Sequence, residues 1–295
     1  MTEVRCLLEK RSVLGEGPIW RPRENSLYWI DLKAPAIYCF DVITRQNRQI
    51  PAALGKTIGG MVFARDGRMI VVDGEGVHEL TAAGHRNLLV NPESDQVGNA
   101  FNDAKCDPKG RLWSGTADIG ETRPSGSLYV IEGQGRTPGR VRRIDSAIIC
   151  SNGPAFAPDG RRAYFTDSFA QEIYSYDVDL DTGLISERKS FFRCSPDAGY
   201  PDGMTVDSEG YLWCCNWDGW SVTRYAPGGE IDRVLKVPVP RPTSVCFGGP
   251  RMDQLFITSA SDGLSADQLR EAPLSGSLFV CEPGVRGLLD AEYNG

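Results

Sequence analysis

Four oxygen-bearing side chains recur at one position of a repeated sequence pattern. In residues 199–207 (GYPDGMTVD), Asp202 precedes a short apolar stretch that ends four residues later. Six segments follow this plan, and their residues at the position of Asp202 are Glu16, Gly59, Asn102, Asn152, Asp202 and Thr243. Carboxylate and amide oxygens are donors that calcium, magnesium and manganese prefer. The pattern therefore predicts that at least three of the four Glu, Asn and Asp residues share a divalent cation.

Each of these residues has a simpler interpretation when it is taken alone. Asn and Asp before glycine are common in turns, so Asn152 or Asp202 by itself would indicate only a turn. A turn does not require Glu16 before Gly-Pro, however, nor Asn102 in the sequence FNDA. The shared register of the four residues therefore favours one common site.

An internal repeat indicates the elements that could bring these residues together. The six repeated positions are separated by 43, 43, 50, 50 and 41 residues, and periods of about 40 to 50 residues are typical of β-propellers. Each unit has a first strand, a turn that is often Asp-Gly or Lys-Gly, and then a second and a third strand. Fourth strands are predicted in five units, over residues 48–50, 86–90, 141–144, 189–192 and 233–237.

The sixth unit lacks a clear fourth strand, and residues 4–8 (VRCLL) can supply it. Such an N-terminal strand would close the ring and leave no open sheet edge. The sequence therefore predicts an all-β protein, a six-bladed β-propeller with four-stranded blades, as a single domain over residues 1–295. One helical turn is predicted over residues 265–271, with Ser265 as its N-cap. In this architecture the six repeated positions surround the mouth of the central channel.

Composition and charge argue against several classes of function. The 32 Lys and Arg residues stand against 39 Asp and Glu, so no basic field indicates a nucleic-acid partner. Neither a signal-like N-terminus nor an apolar run of about 20 residues is present, and we expect a cytoplasmic protein without membrane contact. The nine cysteines include no C-x-x-C pair, which favours buried free thiols. Only His78 and His85 are available, which argues against a His-based triad or a three-His zinc site.

Five motifs resemble the signature motifs of the senescence marker protein, gluconolactonase and luciferin-regenerating enzyme family. They are LGEGPIW at residues 14–20, FND at 101–103, SNGP at 151–154, YPDG at 200–203 and FGG at 247–249. The resemblance runs almost from end to end of the chain. It implies a six-bladed propeller with one catalytic divalent cation and, in many members, hydrolysis of sugar lactones.

The resemblance also implies roles for individual residues. Glu16, Asn152 and Asp202 fall on the metal ligands of the family, and Asn102 falls on a position that contacts the substrate and can approach the metal. Glu121 lies in a loop where some relatives place another substrate-binding acid, with a solvated loop charge as the alternative.

One departure from the family pattern concerns substrate recognition. The family often has an arginine two residues before Asn102, where it helps to hold the sugar, but this chain has Ala100 there, preceded by Asn99. Asn99 is a candidate substrate contact in this altered pattern, and gluconolactone itself is less strongly indicated. Three aromatic residues are predicted near the mouth, and two of them are expected to pack between blades. They are Tyr200, Trp217 and Trp220.

The predicted reaction is metal-dependent hydrolysis of a pentono- or hexono-lactone to the aldonic acid. The cation, which is calcium, zinc, magnesium, manganese or iron(II), would polarise the carbonyl, and Asp202 would act as metal ligand and general base toward water. Two alternatives remain, namely hydrolysis of another ester or phosphotriester and a non-enzymatic calcium-binding propeller. Sugar lactones need several hydroxyl partners at the channel mouth, whereas organophosphates need a more apolar pocket. No feature of the sequence predicts an oligomeric state.

Overall fold

The computed structural model describes residues 2–134 and 137–295, and it consists almost entirely of six four-stranded antiparallel sheets. The first strands of the blades contact one another around the channel. They are β2 (Gly15–Arg21), β6 (Gly60–Phe63), β10 (Asn99–Cys106), β14 (Ser151–Phe156), β18 (Tyr200–Val206) and β22 (Pro242–Gly248). The second strands are β3 (Ser26–Asp31), β7 (Met69–Asp73), β11 (Leu112–Asp118), β15 (Arg162–Asp167), β19 (Leu212–Trp217) and β23 (Gln254–Ser259).

The outer half of each blade follows the same order. The third strands are β4 (Ala36–Asp41), β8 (Gly76–Leu80), β12 (Gly126–Gln134), β16 (Glu172–Asp177), β20 (Ser221–Tyr225) and β24 (Leu278–Cys281). The outermost strands of blades 1 to 6 are β5 (Asn47–Ile50), β9 (Arg86–Val90), β13 (Thr137–Ile148), β17 (Lys189–Arg193), β21 (Ile231–Lys236) and β1 (Arg5–Leu8). The predicted six-bladed β-propeller with four-stranded blades is confirmed.

The N-terminal strand completes the last blade, as predicted. β1 runs antiparallel to β24, with Arg5 opposite Val280 and Cys6 opposite Phe279. The predicted fourth strand of blade 3 was too short, because β12 continues to Gln134 and offers β13 a longer backbone partner.

Helical structure is confined to two short segments of the described chain. The predicted helical turn is α1 (Ala266–Glu271), and Ser265 and Gln268 form a capping box at its N-terminus. A 3-10 turn at Pro196–Ala198 precedes β18. No helix in residues 2–134 and 137–295 is long and apolar enough to cross a bilayer.

Two buried aspartates tie the hairpins of blades 3 and 5 to their tryptophans. Asp207 accepts the backbone N–H of Tyr211 and the indole N–H of Trp213, at 3.0 and 2.9 Å, and it also pairs with Arg224. Asp107 bonds in the same way to the indole N–H of Trp113 over 3.0 Å. These hydrogen bonds hold each hairpin turn to a fully buried tryptophan.

The hydrophobic core lies between neighbouring blades. The cluster between blades 5 and 6 is representative, since strands from both sheets contribute to it. Its members include Trp213, Val222, Val245, Phe247, Leu255, Ile257 and Phe279. Each blade is therefore held by its two neighbours, and the channel is left for polar side chains.

Candidate active site

The candidate residues lie at bulges in the inner strands. The register of strand pairing shifts directly after Glu16, Asn102 and Asn152, and it shifts between Pro201 and Met204 around Asp202. A bulge bends its strand and redirects a side chain. The bulge explains two of the following glycines, because Gly17 and Gly153 have φ angles of 53° and 81°. The Glu-Gly and Asn-Gly sequences are therefore strand bulges and not the turns that they resemble.

Glu16 and Asp202 form a pair of buried carboxylates. They are 8% and 7% exposed, and their only hydrogen bonds in the described structure are to the next backbone N–H, from Gly17 at 3.1 Å and Gly203 at 3.0 Å. Burial, reinforced by Asp202 and Asp103, raises the pKa of Glu16 well above its usual value. Burial and Asp103 raise the pKa of Asp202 in the same way. Within the described chain no Lys or Arg pairs with either carboxylate, so the negative charge lacks a protein counter-ion.

Asn152 completes an oxygen donor set beside these carboxylates. Its Nδ2 donates to the Ser168 hydroxyl over 2.8 Å, and the Ser168 hydroxyl donates to the Pro201 carbonyl over 2.7 Å. In this orientation Oδ1 of Asn152 is the acceptor, and it accepts a hydrogen bond from Nδ2 of Asn102 over 3.2 Å. Two carboxylates and one amide oxygen suit a hard or borderline divalent cation. The residues present therefore fit the implied metal, and Ser168 is a positioning residue that the sequence did not indicate.

Asp103 is a third carboxylate at the site, half-buried, that was not predicted. It occupies the bulge after Asn102 with a φ of 58° and accepts the backbone N–H groups of Ala104 and Gly153, each at 2.9 Å. Burial raises the pKa of Asp103 to about 6, although Lys105 opposes the shift. The only signal in the sequence was its place beside Asn102. Asp103 adds negative charge beneath Glu16 and Asp202, which further favours a cation there.

A cavity of about 760 Å³ opens above these residues. Glu16, Asn102, Asn152 and Asp202 all line it, so the structure brings the four repeated oxygen-bearing residues to one place. The volume is in the range of sites for small organic ligands. The arrangement can therefore present a cation and a general base to one small molecule.

Glu121 also lines this cavity, on an exposed loop of blade 3. Partial burial raises the pKa of Glu121 against the opposing effect of Lys33, so the ammonium of Lys33 lies near its carboxylate. Lys33 also pairs with Asp262 at 2.6 Å, and both residues line the cavity. The loop places Glu121 where a substrate hydroxyl can reach it.

Asn99, by contrast, does not face the cavity. It is 6% exposed, and its amide bonds to Glu93 and to the Ser125 carbonyl, both at 2.9 Å. The hydroxyl of Ser125 donates to its Oδ1 over 2.6 Å. Side chains alternate along a strand, so Asn99 points away from the face that carries Ala100 and Asn102. The prediction of Asn99 as a substrate contact is thus wrong for this geometry, and its role is structural.

The expectation for the aromatic residues was also wrong. Tyr200 and Trp217 line the cavity, and Trp220 is 42% exposed, so none of the three is packed in the core between blades. Tyr200 instead packs against Phe169, with ring centroids 5.6 Å apart. Tyr200 begins β18 and Trp217 ends β19, and both strand ends border the cavity.

A second group of possible ligands lies in blade 2. Asp73, Glu75 and His78 each offer one atom, all within 4.8 Å of one another. The guanidinium of Arg86 already pairs with both Asp73 and Glu75. Burial lowers the pKa of His78, so the imidazole does not add charge. Arg86 thus provides a positive charge to the carboxylates of this cluster. In the described chain no Lys or Arg does the same for Glu16 and Asp202.

Comparisons with known proteins give a consistent result. The sequence model of the SMP-30/Gluconolactonase/LRE-like region matches residues 14–261. Pentonolactonase of Haloferax volcanii is 35% identical to this chain over 283 residues, covering 93% of the chain and 92% of that protein. The 6-deoxy-6-sulfogluconolactonase of Pseudomonas putida is 33% identical over 296 residues, covering 99% of each. The crystal structure of a calcium-binding protein, regucalcin, from Agrobacterium tumefaciens is similar with a TM-score of 0.93, at 27% identity, covering 100% of this chain and 98% of that one.

Proposed function

The chain belongs to the SMP-30/gluconolactonase/LRE-like family, and on that premise we propose that it hydrolyses a pentono- or hexono-lactone to the aldonic acid with the help of a divalent cation. Relatives named pentonolactonase and 6-deoxy-6-sulfogluconolactonase support a lactone substrate. The observation that carries the proposal is the carboxylate pair of Glu16 and Asp202, which is buried against a ligand-sized cavity and has no counter-ion among residues 2–134 and 137–295. Buried charge of this kind requires a partner.

Glu16, Asn152 and Asp202 would hold the cation, which is calcium, magnesium, manganese, zinc or iron(II). When bound, a divalent cation supplies Lewis acidity toward a carbonyl oxygen and lowers the pKa of water. Three protein ligands leave coordination positions open, which suits a catalytic site better than a closed structural one.

Asp202 is the proposed general base. It takes a proton from the water that adds to the lactone carbonyl, and it returns this proton to the ring oxygen when the carbon–oxygen bond of the ring breaks. The products are the free hydroxyl and the carboxylic acid, which ionises and releases one proton.

Asn102 and Glu121 are the proposed substrate contacts. The Nδ2 of Asn102 donates to the Ser151 carbonyl and to Asn152, which leaves its Oδ1 to accept a substrate hydroxyl. Glu121 and the pair of Lys33 and Asp262 would bind hydroxyls nearer the mouth. These contacts would orient the lactone with its carbonyl toward Asp202.

Hydrolysis of another ester or a phosphotriester is the second candidate. One observation favours it, since apolar side chains at the cavity mouth are unusually exposed, with Val97 at 92% and Ile119 at 67%. A site for a polyhydroxylated sugar alone would not require them.

Proton release during lactone hydrolysis, followed with a pH indicator, tests the proposal. Chelated protein is assayed on a panel of pentono- and hexono-lactones after calcium, magnesium, manganese, zinc or iron(II) is restored singly, with Glu16→Gln as the matched variant. We expect cation-dependent turnover of one or two lactones and its loss in Glu16→Gln. No lactone turnover by protein that binds the cation would contradict the proposal, and turnover of carboxylic esters or phosphotriesters would then support the second candidate. Inactivity on all of them would leave a non-enzymatic cation-binding propeller.

A further inference from the structure

One wall of the cavity is apolar and stands directly beside Asn102. Ala100 lies two residues before Asn102 on β10, so both side chains face the same side of the sheet, about 7 Å apart. Ala100 is paired with Ala117 of β11, and both line the cavity. Val97 and Ile119 also line it, each a few residues nearer the mouth on the same two chain segments. These four side chains, the apolar wall, offer no hydrogen-bond donor or acceptor.

The two chain segments that carry the apolar wall are held together by backbone pairing. The backbone N–H of Ile119 donates to the carbonyl of Gly98 over 2.9 Å, which joins the two segments at the mouth. Gly74 of blade 2 adds no side chain opposite Ala100, and a Cβ built on Gly74 would lie 3.7 Å from the Ala100 Cβ. The neighbouring Asp73 and Glu75 also line the cavity, but both carboxylates pair with Arg86. A ligand that covers Val97 and Ile119 removes exposed apolar surface from water.

The polar groups assigned to the substrate lie elsewhere around the cavity. Asn102 provides a free carbonyl oxygen, and Glu121, Lys33 and Asp262 provide charged groups near the mouth. The cavity is thus two-sided, with hydrogen-bonding groups for one edge of a substrate and an alkyl surface for another. Glu16 and Asp202 are more than nine-tenths buried and have no side-chain partner in the part of the chain that the structure describes, and they mark the reacting end of the same cavity.

We propose that the substrate is a lactone whose end facing the apolar wall lacks a hydroxyl, so that a methyl or other alkyl group lies there. The proposal rests on the lactonase function and specifies its substrate class as deoxy-aldonolactones. A hydroxyl placed against the apolar wall would lose its hydrogen bonds to water without replacement, whereas a methyl group loses none. Ala100 and Ala117 are accordingly specificity-determining residues.

Two hexono-lactones of the same stereochemistry, which differ only in bearing a hydroxyl or a hydrogen at C6, test the proposal. We expect kcat/KM of the cation-loaded protein to be about tenfold or more higher for the 6-deoxy lactone. The double variant Ala100→Ser, Ala117→Ser supplies hydroxyls to the wall and should lower this preference severalfold. Ala157→Ser is the matched control, because Ala157 is half-buried in the β14–β15 turn at the opposite face and should keep the wild-type ratio.

The possible failures are distinguishable. Equal or faster hydrolysis of the hydroxylated lactone by the wild-type protein would overturn the apolar subsite while leaving the lactonase function intact. A preference that survives in the folded double variant would overturn the assignment to Ala100 and Ala117. If the cation binds and neither lactone nor any other in the panel is hydrolysed, the lactonase function fails and this inference fails with it. The wild-type ratio decides the question even if the double variant does not fold.

Discussion

The amide of Asn102 donates an N–H to Oδ1 of Asn152 over 3.2 Å, and this bond joins the inner strands of blades 3 and 4. The second N–H of Asn102 is used by the Ser151 carbonyl at 2.7 Å, so its own oxygen is left for a ligand. Oδ1 of Asn152 keeps one lone pair for a cation. This arrangement leaves Oδ1 of Asn102 for the proposed substrate and a lone pair on Oδ1 of Asn152 for the proposed metal.

Replacement of the proposed base separates its two roles. Asp202→Asn keeps the size and an oxygen ligand but cannot take a proton from water, so we expect kcat to fall by about 10² to 10⁴. The measurement is steady-state kinetics at saturating cation, with metal content determined on the same sample. Near-normal turnover by metal-loaded Asp202→Asn would remove the assignment of Asp202 as base.

Ser168→Ala tests the orientation of Asn152. The hydroxyl of Ser168 is the acceptor that holds Nδ2 of Asn152, and loss of such a supporting contact typically weakens metal binding about 10- to 100-fold. Calorimetric titration with the cation measures the effect. Ser186→Ala is the control, because Ser186 is a half-buried, hydrogen-bonded serine at the outer part of the same blade. Equal affinity in the two variants would show that Ser168 does not position the site.

Cation affinity should increase with pH. Burial raises the pKa of both Glu16 and Asp202, and each must lose its proton to bind a cation. Titrations between about pH 5.5 and about pH 8 should show tighter binding at higher pH and the release of protons on binding. An affinity that is constant over this range would indicate that neither carboxylate is protonated before the metal binds.

Asp103 should contribute stability to the metal-free protein that is lost as the pH rises. The pKa of Asp103 is raised to about 6, so between about pH 4 and pH 6 the folded state binds more protons than the unfolded state. The contribution of Asp103 to the free energy of unfolding then decreases with pH by at most about 1.4 kcal/mol per pH unit. Urea unfolding of chelated protein measures the slope, and Asp103→Asn should flatten it. The same slope in the wild-type protein and in Asp103→Asn would contradict the expectation.

The blade 5 hairpin should depend on Asp207. Asp207→Ala leaves the buried guanidinium of Arg224 without one of its carboxylates and the indole of Trp213 without its acceptor, at a cost of about 3 to 5 kcal/mol. Thermal and urea unfolding report the loss. Asp177→Ala removes an exposed pair with Lys189 and should cost less than about 1 kcal/mol. Comparable losses in the two variants would show that the buried network is not stabilising.

The fold could be predicted from the sequence because each blade repeats the same order of strands and turns. The positions of Glu16, Asn102, Asn152 and Asp202 at the cavity followed from that register, since equivalent positions in a ring must surround its axis. Residues outside the register gave no such signal. Ser168 lies in the turn between β15 and β16. Its positioning role could be found only from its hydrogen bond to Asn152.

The error at Asn99 has a different physical origin. Proximity in sequence to Asn102 suggested a shared site, but the alternation of side chains along β10 sends Asn99 to Glu93 and Ser125. Two of Tyr200, Trp217 and Trp220 were expected in the core, because a large aromatic ring is as compatible with a ligand cavity as with the space between blades. Composition alone could not distinguish these environments.

Closure of the ring by β1 has a consequence for synthesis on the ribosome. β1 leaves the ribosome before every other strand, yet its partner β24 is translated only after five blades and two strands of the sixth. Blades 1 to 5 can form in order as the chain emerges, whereas β1 must stay unpaired until residue 281 has been made. The contacts between β1 and β24, which are far apart in sequence, therefore form last. The ring can close only when translation of the sixth blade is nearly complete.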